Sequence, residues 1–133
     1  MSQMTDVLEG LIIGHMFRTA TWTKPAALAI ALYTAMPGET GGGTEVSGGS
    51  YARASLNPLD ANWRAPSSGD GLTNNLAAIT YPAPTASWGL IVGMGAFFDT
   101  VLWMYGALAA NKTVNNGDAA PSFPIGTLAF TFA

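Results

Sequence analysis

The chain contains no cysteine, which removes disulfides, thiolate metal ligands and cysteine nucleophiles together. Stability has to come from packing or from assembly. Charge is scarce: only 10% of the 133 residues are Asp, Glu, Lys or Arg, against about 25% in an ordinary soluble domain. Hydrophobic residues reach 49% and mean hydropathy is +0.28. A monomer needs charge spread over its exterior to stay dispersed, so this composition points to a surface partly covered by copies of itself or by another protein.

The five cations are Arg18, Lys24, Arg53, Arg64 and Lys112. They are scattered, and the net charge is −3. A nucleic-acid backbone calls for clustered cations, so no nucleic-acid partner is expected. The opening "MSQMTDVLEGLIIGHMFR" carries Asp6 and Glu9 where a secretion signal would carry Lys or Arg. The run "WGLIVGMGAFFDTVLWMYGALAA", residues 88–110, has spanning length. Asp99 at its middle would cost about 2.5–3.5 kcal/mol in a bilayer, and its glycines and β-formers suit two buried strands folded about Asp99 and Thr100. No membrane partner is expected.

Candidate chemistry fails on named residues. His15, the single histidine, continues an apolar helical stripe and has no local nucleophile or carboxylate partner. "GGSYA" places Ala52 where a nucleophile elbow around Ser50 needs glycine. Gly41, Gly42 and Gly43 are not followed by the Lys-Ser/Thr of a phosphate loop, and the next element reads as a strand. "DGLTNN", residues 70–75, lacks the spaced acids and closing glutamate of a calcium loop. Asn111-Lys112-Thr113 is formally a glycosylation acceptor but reads as turn chemistry. The sequence therefore predicts no enzyme, with no catalytic, cofactor-binding or metal residues. Trp88 and Trp103, inside apolar runs, are expected in the core; Trp22 and Trp63, in polar surroundings, are expected exposed at an interface.

Periodicity gives the architecture. Met4, Val7, Leu8, Leu11, Ile12 and His15 have helical spacing, with Asp6 and Glu9 as a capping box or Ser2 as an earlier cap. Leu28, Ile30 and Leu32 alternate with alanines in a strand, and further strands are expected over residues 51–56, 76–81, 89–98 and 102–108. Leu128, Phe130 and Phe132 mark a half-buried last strand. The expected fold is mainly β, an antiparallel sandwich or jelly roll with one N-terminal α-helix. It forms one domain over 1–133, with the helix at 1–18 and the sandwich at 26–133. The glycine-rich residues 39–53, "ETGGGTEVSGGSYAR", read as a long mobile inter-strand loop that becomes ordered against another subunit.

The ordered set "ALYTAMPGETGGGTEVSGGSYAR", "ITYPAPTASWGLIVGMGAFFD", "MYGALAANKTVNNGD" and "PIGTLAFTFA" resembles a family of small tailed-bacteriophage virion proteins, commonly labelled tail fibre or structural proteins. The resemblance covers nearly the whole chain, from the helix through "FRTATWTKPAALAIALYTA" to the end. Relatives place a longer glycine-containing turn between the "FD" and "YGAL" strands, where this chain has only "TVLWM". The resemblance implies a virion location and no catalytic residues. The absence of a fibrous repeat favours a capsid decoration, or cement, protein that binds the major capsid protein and copies of itself on the capsid surface. The alternative is a tail-fibre or tail-associated module that binds host surface glycan.

Overall fold

A computed structural model describes residues 2–132. In chain order its elements are β1 (Ser2–Met4), α1 (Asp6–Phe17), β2 (Leu28–Ala35), β3 (Thr44–Glu45), β4 (Ala54–Ser55), β5 (Leu72–Asn74), β6 (Ile79–Thr80), β7 (Gly89–Phe98), β8 (Val101–Val114), β9 (Ser122–Phe123) and β10 (Ala129–Thr131). The fold is mainly β and antiparallel, with one helix near the N-terminus. Six strands form a sheet ordered β1-β8-β7-β2-β3, in which β4 shares the outer edge of β2. β5 and β10 form one two-stranded ribbon, β6 and β9 another.

The alternation in "LAIALYTA" sorts β2 onto two faces. Leu28, Ile30 and Leu32 pair in register with Phe98, Ala96 and Met94, and Ala96 in turn pairs with Met104. This face is the floor of the core. Ile79, Tyr81, Leu128 and Phe130 from the two ribbons, and Leu8 from the helix, pack in the same buried cluster. The second layer is therefore built from short ribbons and a helix, and the Tyr81 hydroxyl fastens it by donating to the Ile30 carbonyl at 3.0 Å. On the opposite face a methyl at Gly95 would lie 2.8 Å from Leu102 Cδ1 and 2.9 Å from Tyr33 Cε2. Glycine there lets Tyr33 lie flat on the sheet, where it is 3% exposed.

The apolar run 88–110 is the β7–β8 hairpin, turning at Asp99 and Thr100 as expected. Asp99 takes a left-handed φ of 55°; its Oδ1 accepts from the Ala27 amide at 3.1 Å, and its own amide donates to the Ala27 carbonyl at 2.9 Å. Among the described residues no helix is long and apolar enough to cross a membrane. A register shift between Ala96 and Phe97 leaves Trp103 without an opposite residue, and such a bulge re-aims a side chain. Trp103 stacks on Phe98 at 4.6 Å and meets Trp22 edge-on at 5.3 Å.

Four expectations are corrected. The N-cap of α1 is Thr5, whose Oγ1 accepts from the Leu8 amide at 3.5 Å and donates to the Leu102 carbonyl at 2.9 Å. Ser2 lies instead in β1, paired with Gly106. The strand expected over 51–56 narrows to β4, and "NKTV", read as a turn, continues β8 to Val114. Residues 39–53 are fastened by their own chain. β3 pairs with β2, the Trp88 indole donates to the Gly49 carbonyl at 2.9 Å, and Ser50 Oγ bonds Thr85 Oγ1 at 2.7 Å. A methyl at Gly49, where φ is 56°, would meet the Ala86 carbonyl oxygen at 2.9 Å, so glycine is required for this close approach.

Candidate interaction surface

The residues considered for chemistry lie apart. His15 sits in the last turn of α1, where Nδ1 accepts from the Trp22 amide at 3.3 Å. Ser50 bonds Thr85 on the far side of the glycine-rich loop. Asp70, from the calcium-like stretch, accepts from Arg64 at 2.7 Å and from the Ser67 and Leu72 amides at 3.1 Å. The bond from Arg64 is the main reason its carboxyl is held below the ordinary range. Among the described residues no three His, Asp or Glu side chains converge as metal ligands.

The polar network with the strongest electrostatics supports the loop. Arg53 grips Glu45 through two bonds of 2.8 Å and lies 3.5 Å from the centroid of Phe97. The Tyr51 hydroxyl donates to Glu45 Oε1 at 3.0 Å and accepts from the Leu32 amide at 2.9 Å. The hydrogen bond from Arg53 chiefly lowers the Glu45 pKa, while burial raises that of Tyr51. This geometry matches a bidentate ion pair that fixes the loop base against the sheet.

The principal concavity is an apolar groove on the core side. Its larger compartment, about 500 Å³, lies between the 58–66 turn, β10 and the sheet, and is lined by Trp63, Phe98, Met104 and Phe130, with Leu59, Asp60 and Ala65 along its lip. A smaller compartment of about 200 Å³ is lined by Leu8, Trp22 and Trp103 and shares Pro58, Phe98, Met104 and Phe132 with the first. Trp63 is held by bonds from Nε1 to the Leu56 and Asn57 carbonyls at 3.1 and 3.2 Å. Arg64 borders the groove but is occupied by Asp70, Ser67 and the Leu72 carbonyl. Trp22 and Trp63, expected exposed, are half-buried groove walls. The groove joins segments distant in sequence, and no local periodicity marks it.

The second feature is the outer side of α1. Leu8 is its one buried residue. Val7, Ile13, Met16 and Phe17 are exposed by 49%, 53%, 67% and 79%. An ordinary surface helix presents one apolar stripe to the core and a polar face to water. This helix is apolar on both sides.

Comparison with curated proteins finds no match. A family model described as podophage GP4 fiber I protein gp80 matches residues 3–131. That span takes in the sheet, both ribbons and the helix, so the chain belongs to the podophage GP4 fiber I protein gp80 family, a family of tailed-phage virion structural proteins.

Proposed function

We propose that the protein is a non-enzymatic structural subunit of the phage fibre that works in multiple copies. The observation that carries this reading is the apolar outer side of α1: four large hydrophobic side chains on one short helix stand exposed in a chain with little charge to keep it dispersed. Exposed patches of this kind mark protein–protein contact. The family's fibre description supports the placement. A glycan-binding role draws less support. The groove is lined mainly by aromatic and aliphatic side chains, and the terminal nitrogens of its arginine are already paired within the chain, leaving the buried Arg64 Nε and Trp22 Nε1 as unpaired donors, whereas sugar recognition needs several free, well-placed polar groups beside aromatic platforms.

Antibody labelling and copy counting on purified virions test the reading. The expected result is label on the tail at low copy number. Hundreds of copies distributed over the head would replace the fibre reading with capsid decoration, the role favoured by the compact, repeat-free sequence.

A further inference from the structure

We propose that the exposed end of α1 in one copy docks into the apolar groove of the next, with Phe17 entering the larger compartment and Arg18 meeting Asp60 at its lip. The contact rests on the reading of the chain as a self-assembling subunit and specifies how copies join. Phe17 and Met16 are the two most exposed large hydrophobic residues of the described chain. The groove offers a matching socket of about 500 Å³ walled by Trp63, Phe98, Met104 and Phe130. Aromatic, Met and Arg side chains are the residues that concentrate in interface cores. Charge fits as well. Arg18 and Asp60 are both exposed, and neither belongs to the two ion pairs formed among the described residues.

The chain's own helix does not fill its own socket. Thr5 fixes the start of α1 to β8, and Leu8 borders the smaller compartment. Nine residues later, Phe17 lies roughly 14 Å farther along the helix axis at 1.5 Å per residue, and no residue of α1 lines the larger compartment. Knob and socket are different parts of one molecule. Joined head to tail, each copy gives its helix end to one neighbour and its groove to another, which yields a ring or an open filament; joined reciprocally, two copies close a two-fold dimer.

The absence of cysteine makes cross-linking clean. Purified Thr19→Cys and Ala61→Cys proteins, which keep the Phe17 anchor, should form mainly the mixed dimer when mixed under mild oxidation, because both positions are exposed and adjoin Arg18 and Asp60. A chain carrying both substitutions should form a ladder of multimers where copies join head to tail and a doubly cross-linked dimer where they join reciprocally. A disulfide closed within a single chain, or same-residue dimers in equal yield, overturns the proposal. Sedimentation gives an independent readout: Phe17→Ser should leave the circular dichroism spectrum unchanged and weaken self-association roughly thirtyfold or more, the loss of one aromatic anchor. Arg18→Glu should weaken it too, and adding Asp60→Arg to the same chain should restore it. Wild-type protein that stays monomeric at high concentration also overturns the contact. Head labelling of virions with the mixed cross-link intact would remove only the fibre placement, and tail labelling without the cross-link would remove only the contact.

Discussion

Asn75 provides a stringent test of how the covering layer is held on the sheet. It is 0% exposed and uses its whole amide. Nδ2 donates to the Ala77 and Pro124 carbonyls at 2.8 and 2.9 Å, and Oδ1 accepts from the Leu128 amide at 3.0 Å. Its backbone adds a bond to the Leu128 carbonyl at 3.2 Å and accepts from Gly126 at 2.8 Å. One side chain thus ties the end of β5, the link toward β6, the turn after β9 and the start of β10. In Asn75→Ala the Pro124 carbonyl keeps its bonds from Thr127 at 2.7 and 3.1 Å, but the Leu128 amide and the Ala77 carbonyl lose their partners. The orphaned Leu128 amide, which is buried, costs about 1–3 kcal/mol and the half-buried Ala77 carbonyl less, so the expected loss is about 1–4 kcal/mol. That is a large share of a typical domain stability of about 5–15 kcal/mol.

Urea unfolding followed by tryptophan fluorescence measures this loss. It should register as a lower midpoint with an unchanged slope, because Leu128 and Phe130 belong to the one buried cluster. A loss below about 1 kcal/mol would refute the hub role, since even one orphaned group exceeds that. Asn75→Asp separates donor from acceptor. It keeps the acceptor for Leu128 but turns an oxygen toward two carbonyls, and burial would raise the pKa of the new carboxyl. A raised carboxyl favours the folded state most below the unfolded value of about 3.9, and that advantage disappears as pH climbs through the folded value. The deficit against wild type should therefore shrink on acidification from neutrality; a pH-independent deficit would show that the Nδ2 bonds are not its source.

Gly95→Ala should cost about 1–3 kcal/mol through overpacking, because the added methyl meets Leu102 and Tyr33 at 2.8 and 2.9 Å; the urea midpoint reads it, and an unchanged midpoint would mean that Tyr33 moves freely. The Glu45 pKa is lowered, chiefly by its bond from Arg53, so the stability from this pair is complete above the unfolded value of about 4.3 and is lost as pH falls through the lower native value. Glu45→Gln should accordingly flatten the acid limb of a stability–pH curve, and a curve of unchanged steepness would assign that limb to other carboxylates. Thr5→Ala removes both the cap to Leu8 and the bond to Leu102. A loss of about 1–2 kcal/mol is expected, visible as a lower thermal midpoint.

The central hairpin and β2 were legible because their signal is local. Leu28, Ile30 and Leu32 alternate with alanine, and a lone acid interrupts an apolar run at the position where the chain must turn. The short elements carry no such signal. β3, β5 and β9 span two or three residues each and exist through partners up to 59 positions away, as when Leu72 pairs with Thr131. The same reason hid the cap: β1 forms only because β8 offers Met104 to Gly106 as partners, and that strand pushes the helix start to Asp6. The loop over 39–53 was misjudged because glycine content reports conformational freedom and not the neighbours that use it. Trp88, 39 positions from Gly49, provides the anchoring bond. At the candidate surface, the apolar character of α1 was readable in "DVLEGLIIGHMF", but its uncovered half and the groove appear only once Trp22, Trp63 and Phe130 are brought onto one floor.

The helix draws limited support from its own chain. Gly10 and Gly14 each weaken a helix by about 1 kcal/mol relative to alanine. Crowding accounts for only one of them: a methyl at Gly14 would lie 3.3 Å from Ala20 Cβ, while one at Gly10 would meet nothing within 4 Å. Leu8 alone is buried, so tertiary packing within the chain stabilises one flank of a sequence that is apolar on both. A short helix draws its stability in water from buried surface more than from propensity. Under the proposed contact, docking of the Met16 and Phe17 end against a neighbour would bury the flank that the fold leaves bare.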